Sequence, residues 1–354
     1  MNKVKSLYIH IPFCNKICDY CDFTKLQYFR NFATKYLEAL NEELNSYQIK
    51  DLKTIYVGGG TPTALEDDLF EELLKIIDRY SNGVQEYTFE ANPESLSLDK
   101  IRMLKAHHVN RVSLGVQTTD DRILKAVNRD HSFEQVKEAI KNLKENGIDN
   151  INVDLILGLP HTSKKILRKD LENILSLDVK HVSCYGLTVN PHTVLFNKGF
   201  KEPEGDISRQ YYDVVEEELT KNGFIHYEVS NWAKPGYQSE HNLTYWRNEQ
   251  YYGCGLGASG YLSNIRYKNT VNLSQYLERV FVSEKEQVSE RDKLTYQIML
   301  NLRTIEGLDV SFALDKDKEI EEFIKSGLLK KDGNRLVPTY EGMMVLDQII
   351  LRLI

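Results

Sequence analysis

The stretch Tyr8-Ile9-His10-Ile11-Pro12-Phe13-Cys14-Asn15-Lys16-Ile17-Cys18-Asp19-Tyr20-Cys21-Asp22-Phe23 decides how this chain is read. A strand-like apolar run, Ser6 to Ile11, leads into three cysteines spaced C-x3-C-x2-C, with no fourth cysteine nearby. Cysteine thiolates are the ligands of iron–sulfur clusters, and Cys14, Cys18 and Cys21 suffice for three corners of a [4Fe-4S] cube. The fourth iron is then open to a small molecule with an amine and a carboxylate. Two rivals use the same residues. Zinc would recruit His10 beside the three cysteines, but His10 lies within the strand, and structural zinc sites pair their ligands in knuckles separated by a longer loop. A redox C-x2-C made of Cys18 and Cys21 leaves Cys14 unexplained. The cluster is therefore the preferred reading. Cys184 and Cys254 stand alone and read as small buried hydrophobes. Five cysteines with three clustered make a poor disulfide framework.

Working outward, β-rich runs alternate with amphipathic helical stretches. Strands are expected at Ser6 to Ile11, Thr54 to Val57, Glu86 to Glu90, Arg111 to Val116, Ile151 to Ile156 and His181 to Tyr185. Between them, Tyr36, Leu37, Leu40 and Leu44 share one helical face, as do Leu69, Leu73, Ile76 and Ile77, and then Val136, Ile140 and Leu143. Strands separated by helices predict parallel βα units and an α/β fold. Polar residues gather at the strand ends, where a barrel of such units places its chemistry. The pattern changes after about Asn197, with a polar loop rich in turn formers up to Asp206. A helix is expected from Ser208 to Asn222 and a strand from Phe224 to Val229. From Ser289 onward the order is helix, short helix, turn, strand, helix, with a winged-helix-like hairpin around Gly327 to Val337. The chain so divides into 1–200, carrying the cysteine loop, a capping segment 201–285, and a C-terminal unit 286–354.

Composition narrows the class. The 354 residues are 41% hydrophobic and 27% charged, ordinary for a globular protein, and the net charge of −7 does not favour nucleic acid. No apolar run approaches a membrane span, and Met1 to Lys5 lead into the first strand without a long apolar signal, so no membrane anchor and a cytoplasmic location are expected.

Several polar stations follow the strands in order. Gly58-Gly59-Gly60-Thr61-Pro62 ends the second; glycines let backbone groups approach a ligand closely. Glu90 ends the third, Gln117 the fourth, and Arg129 follows a short helix. Asp154 lies inside the apolar fifth strand, where an unpaired carboxylate is costly. A carboxylate suits ribose hydroxyls and a guanidinium suits a carboxylate. Each alone is more often a surface or ion-pair residue; their placement at successive strand ends is what points to a ligand. Tyr20 could pack on an adenine ring, although a core aromatic is the commoner role. Gly255-Leu256-Gly257-Ala258-Ser259-Gly260 matches G-x-G-x-x-G, but no clear amphipathic helix follows, so it reads as a decoy. His241-Asn242-Leu243-Thr244-Tyr245-Trp246 offers a histidine among aromatics, a combination that serves packing or haem ligation.

Tyr8 to Cys14, the Gly-Gly-Gly-Thr-Pro loop, Arg111-Val112-Ser113-Leu114-Gly115-Val116-Gln117 and Asp154-Leu155-Ile156-Leu157-Gly158-Leu159-Pro160 together resemble the oxygen-independent coproporphyrinogen III oxidase family of radical S-adenosylmethionine (SAM) proteins. Within that family the chain is most similar to the haem-chaperone branch. The oxidases carry a further cysteine two positions after the triad, where this chain has Phe23, and a long N-terminal extension. The chaperones carry H-N-x-x-Y-W, matched at His241 to Trp246. The resemblance implies an open (β/α)6 partial barrel with a smaller C-terminal domain, and a [4Fe-4S] cluster on Cys14, Cys18 and Cys21. It implies SAM contacts from Tyr8, Tyr20, Gly59, Gly60, Thr61, Glu90, Gln117, Arg129 and Asp154. It also implies haem near His241, Tyr245 and Trp246, with acceptor haemoproteins as partners. A flavodoxin or ferredoxin electron donor is implied if SAM is cleaved. The alternative it carries is oxidative decarboxylation of coproporphyrinogen III to protoporphyrinogen IX, against which Phe23 argues.

Overall fold

A computed structural model describes residues 4–313 and 315–354. The expectation that Met1 to Lys3 are a plain lead-in lies outside the described residues. Six parallel strands run in sequence order: β1 (Ser6–Ile11), β2 (Thr54–Gly59), β3 (Glu86–Ala91), β4 (Arg111–Gln117), β5 (Asn150–Leu157) and β6 (His181–Gly186). Each crossover is helical: α1 (Arg30–Ser46), α2 (Asp67–Asp78), α3 (Leu98–Ala106), α4 (Asp121–Ala126) with α5 (Phe133–Glu145), and α6 (Lys164–Leu175). Parallel strands need such crossovers. α2 shows why the helices form: Leu69, Phe70, Leu73, Leu74, Ile76 and Ile77 make one buried stripe while Asp67 and Asp68 occupy its first turn. Ser132 and Gln135 close a capping box at the start of α5.

The six strands are the centre of a twelve-stranded open sheet. Beyond β6 lie β7 (Ile225–Glu228) and β8 (Asn231–Ala233). Beyond β1 lie β9 (Tyr251–Cys254), β10 (Ser259–Leu262), β11 (Ile265–Asn269) and β12 (Val282–Gln287). The spatial order is β12-β11-β10-β9-β1-β2-β3-β4-β5-β6-β8-β7. Only β9 among the added strands is parallel to its inner neighbour.

The glycine-rich segment that resembles a dinucleotide fingerprint joins β9 to β10, so a strand follows it and not a helix. Its backbone is already taken. The Gly255 N–H donates to the buried Glu43 carboxylate at 2.8 Å, and the Leu256 N–H donates to the Tyr36 hydroxyl at 3.0 Å. Gly255 has φ +102°, and a Cβ there would meet the His10 carbonyl oxygen at 2.3 Å, so this turn excludes other residues.

The C-terminal unit has its own core of Ile298, Leu302, Leu308, Ile320, Phe323, Leu336, Ile349 and neighbours. It is built round a hairpin, β14 (Leu329–Asp332) with β15 (Arg335–Pro338), to which β13 (Leu308–Asp309) adds a third strand. Among the described residues no helix is long and apolar enough to cross a membrane.

Candidate functional site

Alternation along the parallel strands builds the site. Successive side chains point to opposite faces. Leu7, Ile9, Ile11, Ile55, Val57, Phe89, Val112, Leu114, Val153, Leu155 and Val182 are buried in the main hydrophobic core. The residues between them make a polar inner surface that is bonded across strands. Tyr56 donates to Glu90 Oε1 at 2.8 Å, and Ser113 donates to Asp154 Oδ2 at 3.0 Å. The Asn152 amide donates to Asp154 Oδ1 at 2.8 Å, and Ser183 donates to Asn152 Oδ1 at 3.1 Å.

At the C-terminal ends of the strands this surface opens into a cavity of about 400 Å³. It is lined by Cys14, Cys18, Cys21, Tyr20, Gly59, Gly60, Thr61, Glu90, Gln117, Arg129 and Asp154 together. Of the residues expected around a cluster and SAM, Tyr8 alone does not line it. Tyr8 sits one layer deeper, its hydroxyl bonded to His10 Nδ1 at 2.9 Å and its ring beside Tyr56. The cavity also takes Tyr56, Asn92 and Ser113, which the sequence reading did not single out. The signal for Asn92 was its position two residues past Glu90, after the third strand.

The cysteine loop is pinned at both ends. Phe13 and Cys14 pair with Leu26 and Gln27, and the Tyr28 N–H donates to the Cys14 carbonyl at 2.9 Å. The Asp19 N–H reaches the Val127 carbonyl at 3.1 Å, and the Asn128 amide the Ile17 carbonyl at 2.8 Å. Two thiols are then joined by one polar chain. The Thr61 hydroxyl points at Cys14 Sγ (3.7 Å) and accepts from the Asn92 amide (3.0 Å). Asn92 Oδ1 accepts from Arg129 Nη2 (3.0 Å), and Arg129 Nη1 faces Cys18 Sγ (3.5 Å). Arg129 Nη2 also bonds the Gly115 carbonyl. Burial pushes the Cys14 thiol up to about 11, against the pull of the Thr61 hydroxyl, and burial also raises Cys21. A thiol raised in this way can ligate a metal only by giving up its proton.

The donor set fits a cluster better than one ion. Both nitrogens of His10 are engaged, with Nε2 at 2.7 Å from the Thr24 carbonyl, so the ring is not free to join the thiols. Among the described residues no three His, Cys, Asp or Glu side chains converge on a single-ion site. A cluster separates its ligating sulfurs more widely than a lone ion does. Arg129 adds a buried cation whose Nε has no partner.

The glycine loop is held by contact. Gly59 has φ +113°, and a Cβ on it would lie 2.6 Å from the His10 ring, while one on Gly58 would meet the Glu90 carboxyl at 2.5 Å. The Gly59 N–H donates to Glu90 Oε2 at 3.0 Å. Gln117 also has positive φ, +70°, at a register shift between β4 and β5; such a bulge re-aims a side chain. Burial first, then the neighbouring Asp154, raise the Glu90 carboxyl to about 7, and burial raises Asp154 as well.

His241, Tyr245 and Trp246 lie elsewhere. They belong to α7 (Glu240–Trp246), which is bonded to the opposite, N-terminal ends of the strands. Glu86, the first residue of β3, accepts bonds from Ser239 Oγ, Glu240 N and His241 N at 2.8–3.0 Å. Ser6, the first residue of β1, bonds Thr244, and Thr54, the first of β2, bonds His241 Nδ1 at 2.8 Å. His241 is fully buried, its Nε2 bonded to the Tyr245 hydroxyl at 2.8 Å and its ring packed on Tyr56. Burial, with the charge of Arg111, lowers its pKa to about 3. The motif is a plug in the barrel floor, with Tyr245 and Trp246 partly exposed.

A family model for the radical SAM superfamily matches residues 8–174. The heme chaperone HemW of Lactococcus lactis subsp. lactis (strain IL1403) is 39% identical over 97% of this chain and 95% of its own length. The heme chaperone HemW of Bacillus subtilis (strain 168) is 35% identical over 98% of both, and that of Escherichia coli (strain K12) is 30% identical over 98% of this chain and 97% of its own length. Among solved structures, the coproporphyrinogen III oxidase HemN from Escherichia coli, a radical SAM enzyme, is similar in fold. The TM-score is 0.86 over 99% of this chain and 90% of that one, at 22% identity.

Proposed function

The chain belongs to the HemW family of heme chaperones within the radical SAM superfamily, and from that premise we propose that it binds haem and delivers it to acceptor haemoproteins under the control of a [4Fe-4S] cluster and SAM. The observation that carries the cofactor reading is the single cavity on which Cys14, Cys18 and Cys21 converge with the polar strand ends. In this reading the three cysteines hold the cluster. Tyr20, Gly59, Gly60, Thr61, Glu90, Gln117, Arg129 and Asp154 contact SAM directly, with Tyr8 acting from behind Tyr56. Bound there, a cluster supplies one electron to a sulfonium; the chain's own residues orient the ligand, balance its charges and exclude water. A flavodoxin- or ferredoxin-type donor is needed only if SAM is cleaved. The free thiols suit a reducing compartment, the cytosol.

Haem contact with His241, Tyr245 and Trp246 uses the exposed edge of α7, and His241 ligates iron only after α7 leaves the floor, since both ring nitrogens are bonded within the fold. Phe23, 67% exposed beside the cavity, stands where the oxidases of the resemblance carry a further cysteine, which supports carriage over decarboxylation. The test is anaerobic reconstitution followed by haem titration, transfer to an apo-haemoprotein, and parallel incubation with coproporphyrinogen III. Uptake and transfer of haem without protoporphyrinogen is the expected result. Failure to take up haem, or turnover of coproporphyrinogen, overturns the reading.

A further inference from the structure

Arg111 is the least explained charge in the molecule. It opens β4, is 1% exposed, and its Nε is buried without a partner. Its guanidinium makes no hydrogen bond or ion pair with any described residue. A buried cation left unpaired is costly, so its charge must be used by something nearby. The strand register says what. Arg111 lies opposite Thr88 on β3, whose hydroxyl is also unpartnered, and opposite Asn150 on β5. Side chains two residues apart share a face, so Ser113 lies one layer above Arg111, toward the cavity. Glu90 is the register partner of Ser113. The Asp154 carboxylate reaches the same layer, because it accepts from Ser113. Two carboxylates therefore stand over one unpaired guanidinium, between the mouth cavity and the plugged floor.

We propose that Arg111 is a positioning residue, an internal counter-ion that biases Glu90 and Asp154 toward their anionic forms facing the cavity, so that the mouth selects a ligand with a cationic centre such as the sulfonium and ammonium of SAM. The inference rests on the SAM reading above. A cation beneath the pair stabilises both charges without occupying the space above them, which is left to the ligand. The electrostatics agree in sign: Arg111 lowers the pKa of both carboxyls, opposing burial and their mutual repulsion, and it helps to keep His241 and His181 neutral below. The other groups facing Glu90 are Tyr8, Tyr56, Tyr185 and Tyr245; burial raises Tyr8, Tyr56 and Tyr245 well above the ordinary value, and Tyr185, 43% exposed, is neutral at physiological pH as any phenol is.

The experiment measures SAM affinity of the reconstituted, full-length protein from pH 6 to 9 for the wild type, Arg111→Gln and Arg111→Lys. The Gln variant should move the midpoint of the affinity–pH profile up by about one unit, weaken binding about fivefold near pH 7 and close to tenfold at pH 6, and recover to within about twofold at pH 9; the full tenfold change that matches one pKa unit is reached below both midpoints. The Lys variant should keep the wild-type midpoint. Thr88→Asp, which sets a carboxylate beside Arg111 in register, should give the same upward shift and serves if the Gln variant does not fold. Loss of affinity that is equal at every pH, or superposed profiles, overturns the role of Arg111 while leaving the SAM reading intact. Absence of SAM binding by the wild type at all pH values overturns that reading and this inference with it.

Discussion

Replacing His241 with alanine should unfold the protein more easily, quite apart from haem. His241 is fully buried and bonded through both nitrogens, to Thr54 Oγ1 and to the Tyr245 hydroxyl, each at 2.8 Å. Alanine strands the buried Thr54 hydroxyl and frees that of Tyr245, at about 1–3 kcal/mol for each buried group left unsatisfied. It also opens a void against Tyr56, whose ring centroid lies 5.2 Å away, and large-to-small core changes cost about 2–5 kcal/mol. Some relaxation and water entry will offset part of this, so the net loss should be about 4 kcal/mol, a large share of the roughly 5–15 kcal/mol that holds a domain together. The pH dependence gives a second handle. Burial lowers the folded pKa of His241 to about 3, while the unfolded imidazole titrates near its ordinary value. As pH falls below about 6.5, the unfolded chain binds a proton that the folded chain refuses, and wild-type stability drops by about 1.4 kcal/mol per unit. Alanine lacks this term, so the deficit should narrow by about 2 kcal/mol between pH 7.5 and pH 5. Urea unfolding of metal-free, haem-free protein at both pH values reads these numbers. A deficit under about 1 kcal/mol at pH 7.5, or one that does not change with pH, would refute the floor-plug assignment.

Two further perturbations follow from the same geometry. Burial raises the Glu228 carboxyl to about 8; the folded chain then keeps a proton that the unfolded chain releases above about pH 4.5, so wild-type stability falls as pH rises from about 5 to 8. Glu228→Gln should flatten that part of the melting temperature–pH curve, and an unchanged slope counts against a proton held at this site. Gly59→Ala puts a methyl into the His10 ring and a side chain at φ +113°; strain and overpacking together should cost about 2–5 kcal/mol. The loop would withdraw from Glu90, so SAM affinity should fall with stability. Wild-type values for both, by calorimetry and denaturant titration, would remove this account of the loop.

Much of the site was legible because it is built from short-range signals. The cysteine spacing, the glycine run and the strand-end polar residues each belong to one βα unit, and parallel β1 to β6 bring their ends together automatically. The boundaries of β1 to β6 differ from expectation by at most two residues, as for β2, which runs on through Gly59, while the helix expected from Ser208 to Asn222 begins three residues earlier, at Gly205. What lay beyond the sequence was long-range. β9 to β12 carry glycines, tyrosines and charges in place of alternating apolar residues, and become strands by adding to β1. The location of His241–Trp246 at the floor depends on bonds to Ser6, Thr54 and Glu86, more than 150 residues away in the case of Glu86. Tyr8 fell outside the cavity lining because residue parity sets its face, while only tertiary packing of Tyr56 sets its depth. Arg111 could be seen only as a strand residue until its buried, unpartnered Nε was visible.

Mössbauer spectroscopy of anaerobically reconstituted, ⁵⁷Fe-labelled protein, with and without SAM, addresses the three-thiolate site most directly. The account predicts four irons per chain in a cubane, one iron subsite whose isomer shift rises when SAM is added, and loss of the cluster in Cys14→Ser, Cys18→Ser and Cys21→Ser alike. A single mononuclear metal, or a cubane whose four irons are all indifferent to SAM, would contradict it.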